Sequence, residues 1–306
     1  MIDYIVRRLL TLIPTILGVL LIVSLVLYII PGDPVRLMLG QFATEDEVLM
    51  VRQELGLEDP FHIQFFRYLF KIIQGDMGRS IISRGPVFNE IASTFPNTAL
   101  LVATAIFISL PIGILAGIIA AVKRRSIVDG GFRFTATFGV SIPDFWFGLM
   151  LILLFSVTLR WLPTGGMGGP QYLILPALTM MPFLVAYISR LTRASMLDVL
   201  SQNYVTAARA KGVIERTVMI RHALKNALIP VVTMTGILMG MALAGTVVIE
   251  TVFSYPGMGR LLVSAAVLRD YPLIQGLVLF FSLIFLTINL IVDLLYAYLD
   301  PRIRYT

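Results

Sequence analysis

The sequence predicts an all-α integral membrane protein with six transmembrane helices, a small helical extracytoplasmic segment and a long polar cytoplasmic loop. Of its 306 residues, 58% are hydrophobic and only 14% are charged, whereas soluble domains contain about a quarter charged residues. Six apolar runs approach or exceed the roughly 20 residues that a spanning helix needs. The basic residues cluster at the ends of these runs. The net charge of +6 therefore indicates membrane topology and not nucleic-acid binding.

The spans follow directly from the apolar runs. The first begins after Arg7 and Arg8, exceeds the roughly 7–15 residues of a signal-peptide core and lacks a cleavage site, so we expect it to be retained. The fourth is short and contains Pro176 and Pro182, which membrane helices tolerate where neighbours satisfy the freed backbone groups. The predicted spans are 9–30, 99–121, 135–159, 173–189, 231–253 and 274–298.

Lysine and arginine predict the orientation of these spans. Of the 24 basic residues, 15 fall in four segments that alternate with outside loops: 1–8, 122–134, 190–230 and 299–306. The short loops 160–172 and 254–273 hold only three. The 31–98 segment holds six, but long segments cross a membrane largely regardless of charge. We therefore expect both termini in the cytoplasm.

The chain is predicted to divide into three parts. The first is the cytoplasmic N-terminal end with the first span, 1–30, and the second is an extracytoplasmic helical segment, 31–98. The third is a five-span core, 99–306, which includes the polar loop 190–230.

The 31–98 segment contains clear local signals for two helices. After a turn at 31–34, Thr44 and Glu47 form a capping-box pattern, and that helix should run to Leu55 and end at Gly56. A second helix should span 61–73 and end at Gly75. Its apolar face consists of Phe61, Phe65, Leu69 and Ile72. This face could pack on the chain's own spans or the membrane surface, or it could bind a partner.

The 190–230 loop is too polar to span the membrane, with seven basic and two acidic residues. Its alanine-rich stretch 204–212 favours a short helix, and Gly212 can adopt the left-handed conformation that ends it. A second helix should run from Ile214 to Leu228 and stop at Pro230. A cationic amphipathic surface of this kind suits either anionic lipid or a protein partner.

Asp144 lies near the middle of the predicted third span, next to Pro143, which should break the helix locally. A charge facing lipid there costs at least roughly 2.5–3.5 kcal/mol. The carboxylate must therefore be protonated, paired or exposed to water. It could bond a neighbouring span, or it could line a translocation path and meet a cationic group.

Six short motifs occur along essentially the whole chain: Pro31-Gly-Asp-Pro34, Gly75-Asp-Met-Gly78 with Ser80, Thr206-Ala-Ala-Arg-Ala-Lys-Gly212, Arg221-His-Ala-Leu-Lys-Asn-Ala-Leu-Ile-Pro230, Tyr255-Pro-Gly-Met-Gly-Arg260 and Asp300-Pro-Arg-Ile-Arg304. Together and in this order they resemble the ABC importer permeases of the dipeptide, oligopeptide and nickel branch. This resemblance implies that the chain lies in the plasma (inner) membrane of a bacterial or archaeal cell. Thr206 stands where the general family loop has glutamate.

The resemblance implies a coupling helix that fits into a groove of a cytoplasmic ATPase. The residues that it assigns to this loop are Thr206, Ala207, Ala208, Arg209, Lys211, Gly212, Arg221 and His222. The turn made by Tyr255, Pro256, Gly257, Met258, Gly259 and Arg260 becomes a candidate docking loop for an extracytoplasmic solute-binding protein. The implied partners are that binding protein, a second homologous permease and two ATP-binding subunits.

The sequence also bears on cofactors and catalysis. No phosphate-binding loop of the Gly-x-x-x-x-Gly-Lys-Ser/Thr type is present, so ATP and Mg²⁺ should be used by partner subunits. With no cysteine and only His62 and His222, we expect no metal site, no bound cofactor and no enzymatic activity in this chain.

Two other classes of protein were weighed. A stand-alone secondary transporter needs intramembrane charges to bind a coupling ion, and only Asp144 and Asp293 qualify. A membrane enzyme has no support from any nucleophile–base pattern. Within the resembling family, a dipeptide, an oligopeptide, glutathione or a nickel chelate remain open as the solute.

Overall fold

The structure is a computed structural model that describes residues 2–30, 34–39 and 43–299. The turn at 31–33 and the ending 300–304, both named above as family motifs, lie outside the described residues. The helices are α1 Ile2–Ile29, α2 Pro34–Leu39, α3 Glu45–Leu55, α4 Phe61–Ile73, α5 Val87–Val122, α6 Ile127–Ser141, α7 Asp144–Leu151, α8 Gln171–Leu200, α9 Asn203–Ala210, α10 Glu215–Thr217, α11 Lys225–Val252, α12 Met258–Val267 and α13 Tyr271–Leu299. Two π-helical segments, Ile152–Thr158 and Val218–Leu224, extend α7 and precede α11.

Five helices in the described part of the chain are long and apolar enough to cross a membrane: Leu10–Ile29, Val87–Val122, Gln171–Leu200, Glu215–Val252 and Tyr271–Leu294. A sixth span exists if α6 and the helix 144–158 are one broken span, bent by 99°. The predicted count of six agrees with the structure on that basis. The predicted third span, 135–159, is wrong as a continuous helix because the chain bends at Ile142 and Pro143, as the proline suggests.

Two helix boundaries differ from prediction. The fourth span is not short, since α8 has 30 residues and includes both Pro176 and Pro182. The fifth span does not begin after Pro230, because one helix runs from Glu215 to Val252 through that proline. A proline removes one backbone donor, but a membrane helix continues where neighbouring helices and local π geometry compensate. In this structure a π-helical segment lies just before α11.

The chain forms two compact units, 1–98 with 256–286 and 99–255 with 287–306. The predicted three-part division is a different partition and stays a prediction.

In the second unit, α8 is the central helix and packs most extensively against α11 and α6. Glycines allow α5 to approach it closely. A Cβ atom on Gly113 would lie 2.7 Å from side-chain atoms of Ile188, and one on Gly117 would lie 2.5 Å from Cβ of Thr192. Spacing of small residues by four is typical of membrane helices whose backbones touch.

In the first unit, the predicted local signals are confirmed. The Thr44 side chain accepts a hydrogen bond from the Glu47 N–H at 3.3 Å, and the Glu47 carboxylate accepts one from the Thr44 N–H at 2.8 Å. Gly56 ends α3 in the left-handed conformation, with φ at 65°. Helix α4 has the predicted bounds. Its face Phe61, Phe65, Leu69 and Ile72 is half-buried, and the ring of Phe61 meets that of Tyr28 in α1.

Candidate coupling segment and translocation cavity

The predicted short helix in the 190–230 loop is α9, which follows α8 after only Ser201 and Gln202. Its buried side chains, Val205 and Ala208, pack against Val218 of the returning helix. The helix ends at Ala210, and Gly212 two residues later has a φ of 75°, which confirms the predicted left-handed turn. A Cβ atom on Gly212 would meet nothing within 4 Å. The glycine is thus needed for backbone conformation and not for space.

Polar contacts also hold α9 against the returning helix. The Asn226 side chain donates a hydrogen bond to the Tyr204 hydroxyl at 3.0 Å. Across the Gly212 turn, the Arg209 guanidinium donates two hydrogen bonds to the Glu215 carboxylate, at 2.7 and 3.1 Å. These bonds raise the pKa of Arg209. Both side chains are exposed, so this pair contributes little free energy and mainly orients the turn.

The structure separates the predicted coupling residues into two faces. Ala208, which the resemblance assigns to the coupling loop, is only 9% exposed and is buried by its own chain, so it does not belong to the face that a partner could contact. Ala208 shares a helix face with Val205, and Val218 of the returning helix covers that face. The exposed face of this segment presents Thr206, Ala207, Arg209, Lys211 and Gly212.

Arg221 and His222 lie in the π-helical segment Val218–Leu224. Arg221 is exposed and His222 is half-buried. The carbonyl of His222 accepts a hydrogen bond from the Asn226 side chain at 3.1 Å, the same side chain that binds Tyr204. The two predicted residues are therefore near the contacts that position α9.

An ion pair that the sequence did not single out lies close to this segment. The Asp129 side chain is 1% exposed and accepts hydrogen bonds from Nε and Nη2 of Arg193, at 2.8 and 2.9 Å. It also accepts one from the Arg125 N–H at 3.1 Å. Asp129 and Arg193 are 64 positions apart. The signal available in the sequence was an acidic residue inside the strongly basic segment 122–134.

Asp144 begins α7, at the bend after α6. It lines a cavity of about 90 Å³ together with Met180, Phe183, Leu184, Met241, Ala242, Gly245 and Ile249. These residues belong to α8 and α11. Among the described residues, no hydrogen bond or ion pair to the Asp144 side chain is found. The carboxylate is thus placed at an apolar cavity and not in a polar contact between helices.

The predicted docking turn is largely buried. Tyr255 and Met258 are 2% and 0% exposed, and burial raises the pKa of the Tyr255 hydroxyl. The Asn97 side chain donates a hydrogen bond to the Pro256 carbonyl at 2.7 Å, and the Met258 N–H donates one to Thr98 at 2.8 Å. Gly257 and Gly259 are also buried, whereas Arg260 is exposed.

Within residues 2–30, 34–39 and 43–299, no three histidine or acidic side chains are grouped as metal ligands would be.

These features define a multi-pass membrane transport protein, and comparisons specify its family. Residues 1–102 match the N-terminal part, and residues 113–305 the main part, of the binding-protein-dependent transport system inner membrane component. Two curated relatives are the glutathione transport system permease proteins GsiC of Salmonella paratyphi A and Escherichia coli K12. Each is 48% identical over 305 residues and 100% of both chains.

The chain belongs to this family of binding-protein-dependent inner membrane transport components. It is a multi-pass permease subunit of an ABC importer in the dipeptide and oligopeptide branch, which works with an ATPase and a substrate-binding protein. Among solved structures, the crystal structure of an amino acid ABC transporter with histidines is similar to this chain, with a TM-score of 0.49 and 16% sequence identity. The match covers 70% of this chain and 94% of that transporter chain.

Proposed function

We propose that this permease imports glutathione or a closely related short peptide, as one of two homologous membrane subunits driven by two ATP-binding subunits. The 48% identity to glutathione permeases over the full length of both chains supports this choice of solute. ATP and Mg²⁺ act in the partner subunits, and this chain converts their closure into alternating access.

The structural feature on which the coupling role rests is α9. It extends directly from the end of α8 and is held against the start of the helix that contains α11, while Thr206, Ala207 and Lys211 stay exposed. A short helix fixed in this way, with one free face, can enter a groove of an ATPase subunit and pass its movement to two spans at once. Both termini and the 190–230 segment lie in the cytoplasm in this proposal, in line with the distribution of basic residues.

The solute path in this proposal includes the cavity beside Asp144. The Asp144 carboxylate can pair with the amino group that glutathione and other peptides carry. On the opposite side of the membrane, the turn 255–260, at which Arg260 is exposed, is the proposed docking loop for the binding protein.

The test is uptake of radiolabelled glutathione by cells that express this chain with its neighbouring permease, ATPase and binding-protein genes. We expect ATP-dependent accumulation that depends on all partners and that unlabelled glutathione suppresses more strongly than dialanine does. Uptake by this chain alone, without ATPase subunits, would instead support a secondary transporter. Stronger suppression of uptake by unlabelled dialanine would instead indicate that the solute is a dipeptide.

A further inference from the structure

The ion pair between Asp129 and Arg193 connects α6 to α8, and these two helices lead to different parts of the second unit. Asp129 lies in the first turn of α6, and Arg193 lies about two turns before the end of α8. Helix α8 leads to α9 after only two residues. Helix α6 leads in the other direction to the 99° bend, directly before Asp144. The pair is therefore a buried polar contact between α8, which leads to the coupling segment, and α6, which ends at the cavity, in addition to the apolar packing of these two helices.

The geometry of the pair suits transmission of movement. Two parallel hydrogen bonds from a planar guanidinium fix the orientation of both groups and not only their distance. The Asp129 carboxylate is also fixed on its own side, because it accepts a bond from the Arg125 N–H. By contrast, Arg133 approaches the same carboxylate only to 3.7 Å and is 63% exposed. Arg193 is thus the partner through which α8 can displace the start of α6.

We propose that Asp129 and Arg193 are positioning residues through which movement of α9 and α8 rotates α6 about the Ile142–Pro143 bend and so opens or closes the cavity at Asp144. This inference rests on the proposed coupling role of α9. It adds the path by which that coupling reaches the solute cavity, within the single compact unit that contains all of these residues. Neither residue touches the solute.

The experiment uses the complete transporter, with all partner subunits and the binding protein, in proteoliposomes. The chain has no cysteine, so Met241→Cys in the cavity wall can report access to a small maleimide, with this subunit's labelling followed on a gel. Labelling is compared without nucleotide and with ATP plus vanadate. With the ion pair intact, we expect the labelling rate to change about fivefold or more between the two states, the range typical of coupled sites.

The variants separate transmission from mere stability. Asp129→Asn should reduce the nucleotide-dependent change to below about twofold while ATP hydrolysis continues, which lowers the solute imported per ATP. Arg193→Lys keeps the charge but loses the paired hydrogen-bond geometry, so its nucleotide-dependent change in labelling rate should be intermediate. This variant provides the test if the Asp129→Asn complex does not assemble. The matched control Arg133→Gln should behave as the parent.

A wild-type-sized labelling change in both the Asp129→Asn and the Arg193→Lys complexes would overturn this inference alone, even if less protein were recovered. An absence of any nucleotide-dependent change with the pair intact would overturn the proposed coupling role together with it.

Discussion

The hydroxyl of Ser80 donates a hydrogen bond to the carboxylate of Asp270, although 190 positions separate the two residues. Both side chains are buried, and the same carboxylate accepts a bond from the Ile81 N–H at 3.1 Å. The contact anchors the segment before α5 to the loop before α13. It gives Ser80, part of one of the family motifs, a structural role.

Replacing Asp270 with alanine should destabilise this unit. Removal of the carboxylate leaves the Ser80 hydroxyl and the Ile81 N–H without their acceptor, which costs about 1–3 kcal/mol. Thermal unfolding of the purified chain in detergent should show a lower midpoint for Asp270→Ala and a smaller decrease for Ser80→Ala. Ser264→Ala, at an exposed serine, is the control. Equal midpoints for Ser80→Ala and Ser264→Ala would show that the contact adds no stability.

The two neighbouring alanines of α9 should respond differently to glutamate. Ala207→Glu places a charge on the exposed face, so it should reduce co-purification of ATPase subunits and leave thermal stability unchanged. Ala208→Glu places a carboxylate against Val205 and Val218, where an unpaired charge costs several kcal/mol, so it should reduce both. Normal co-purification of ATPase subunits with Ala207→Glu would show that α9 is not part of the contact with the ATPase.

Gly212→Ala should loosen the turn after α9 without any steric clash. The position needs a left-handed backbone, which costs a residue with a Cβ atom roughly 1–2 kcal/mol, and asparagine should cost less. Hydrogen exchange of the α9 amides should accelerate accordingly. Gly130→Ala is a matched control, because this glycine lies inside α6 with open space around it, and alanine there should be neutral or stabilising.

The cavity beside Asp144 can be tested by charge and by volume. Asp144→Asn keeps the size of the side chain and should reduce uptake of solutes with a free amino group more than uptake of their N-acetylated forms. Gly245→Phe should narrow the cavity and reduce uptake of both, since Gly245 lines it and a Cβ atom there meets nothing within 4 Å. Wild-type uptake of both solute classes by Asp144→Asn would exclude this carboxylate from the path.

The orientation predicts a difference between two exposed serines. Ser264 lies in α12 and Ser201 lies between α8 and α9. In intact spheroplasts, an impermeant maleimide should label Ser264→Cys and should label Ser201→Cys only after the membrane is opened. The reverse labelling pattern would show that the chain has the opposite orientation in the membrane.

Local signals predicted the helices of the first unit well. The capping box of Thr44 and the glycine at 56 act within a few residues, so their effect could be predicted from the sequence, as could the left-handed turn at Gly212. The face of α9 could not, because whether Ala208 points inward depends on Val218 in another helix. The bend at Pro143 was expected, but its 99° angle was not, since it depends on packing against α8 and α11.

The Asp129–Arg193 pair of the candidate site also could not be predicted from the sequence. Each residue, taken alone, is one charge in a basic segment, and only the fold brings the two together. The length of α8 was underestimated for a related reason. Its last turns are too polar to be predicted as part of a span, but Met196 packs in a buried apolar cluster and Arg193 pairs with Asp129, and both contacts depend on the fold.

The close approach of α5 to α8 has a consequence for how this chain can diverge. Gly113 and Gly117 leave no room for a Cβ atom, and every other amino acid has one. The nearest atoms include the Cβ atoms of Ile188 and Thr192 and, at Gly117, the backbone carbonyl oxygen of Ser189 at 2.7 Å, so a smaller facing side chain would still leave a clash. Substitution at either glycine therefore requires α8 itself to move away, and both positions should tolerate change far less than the surrounding positions on α5.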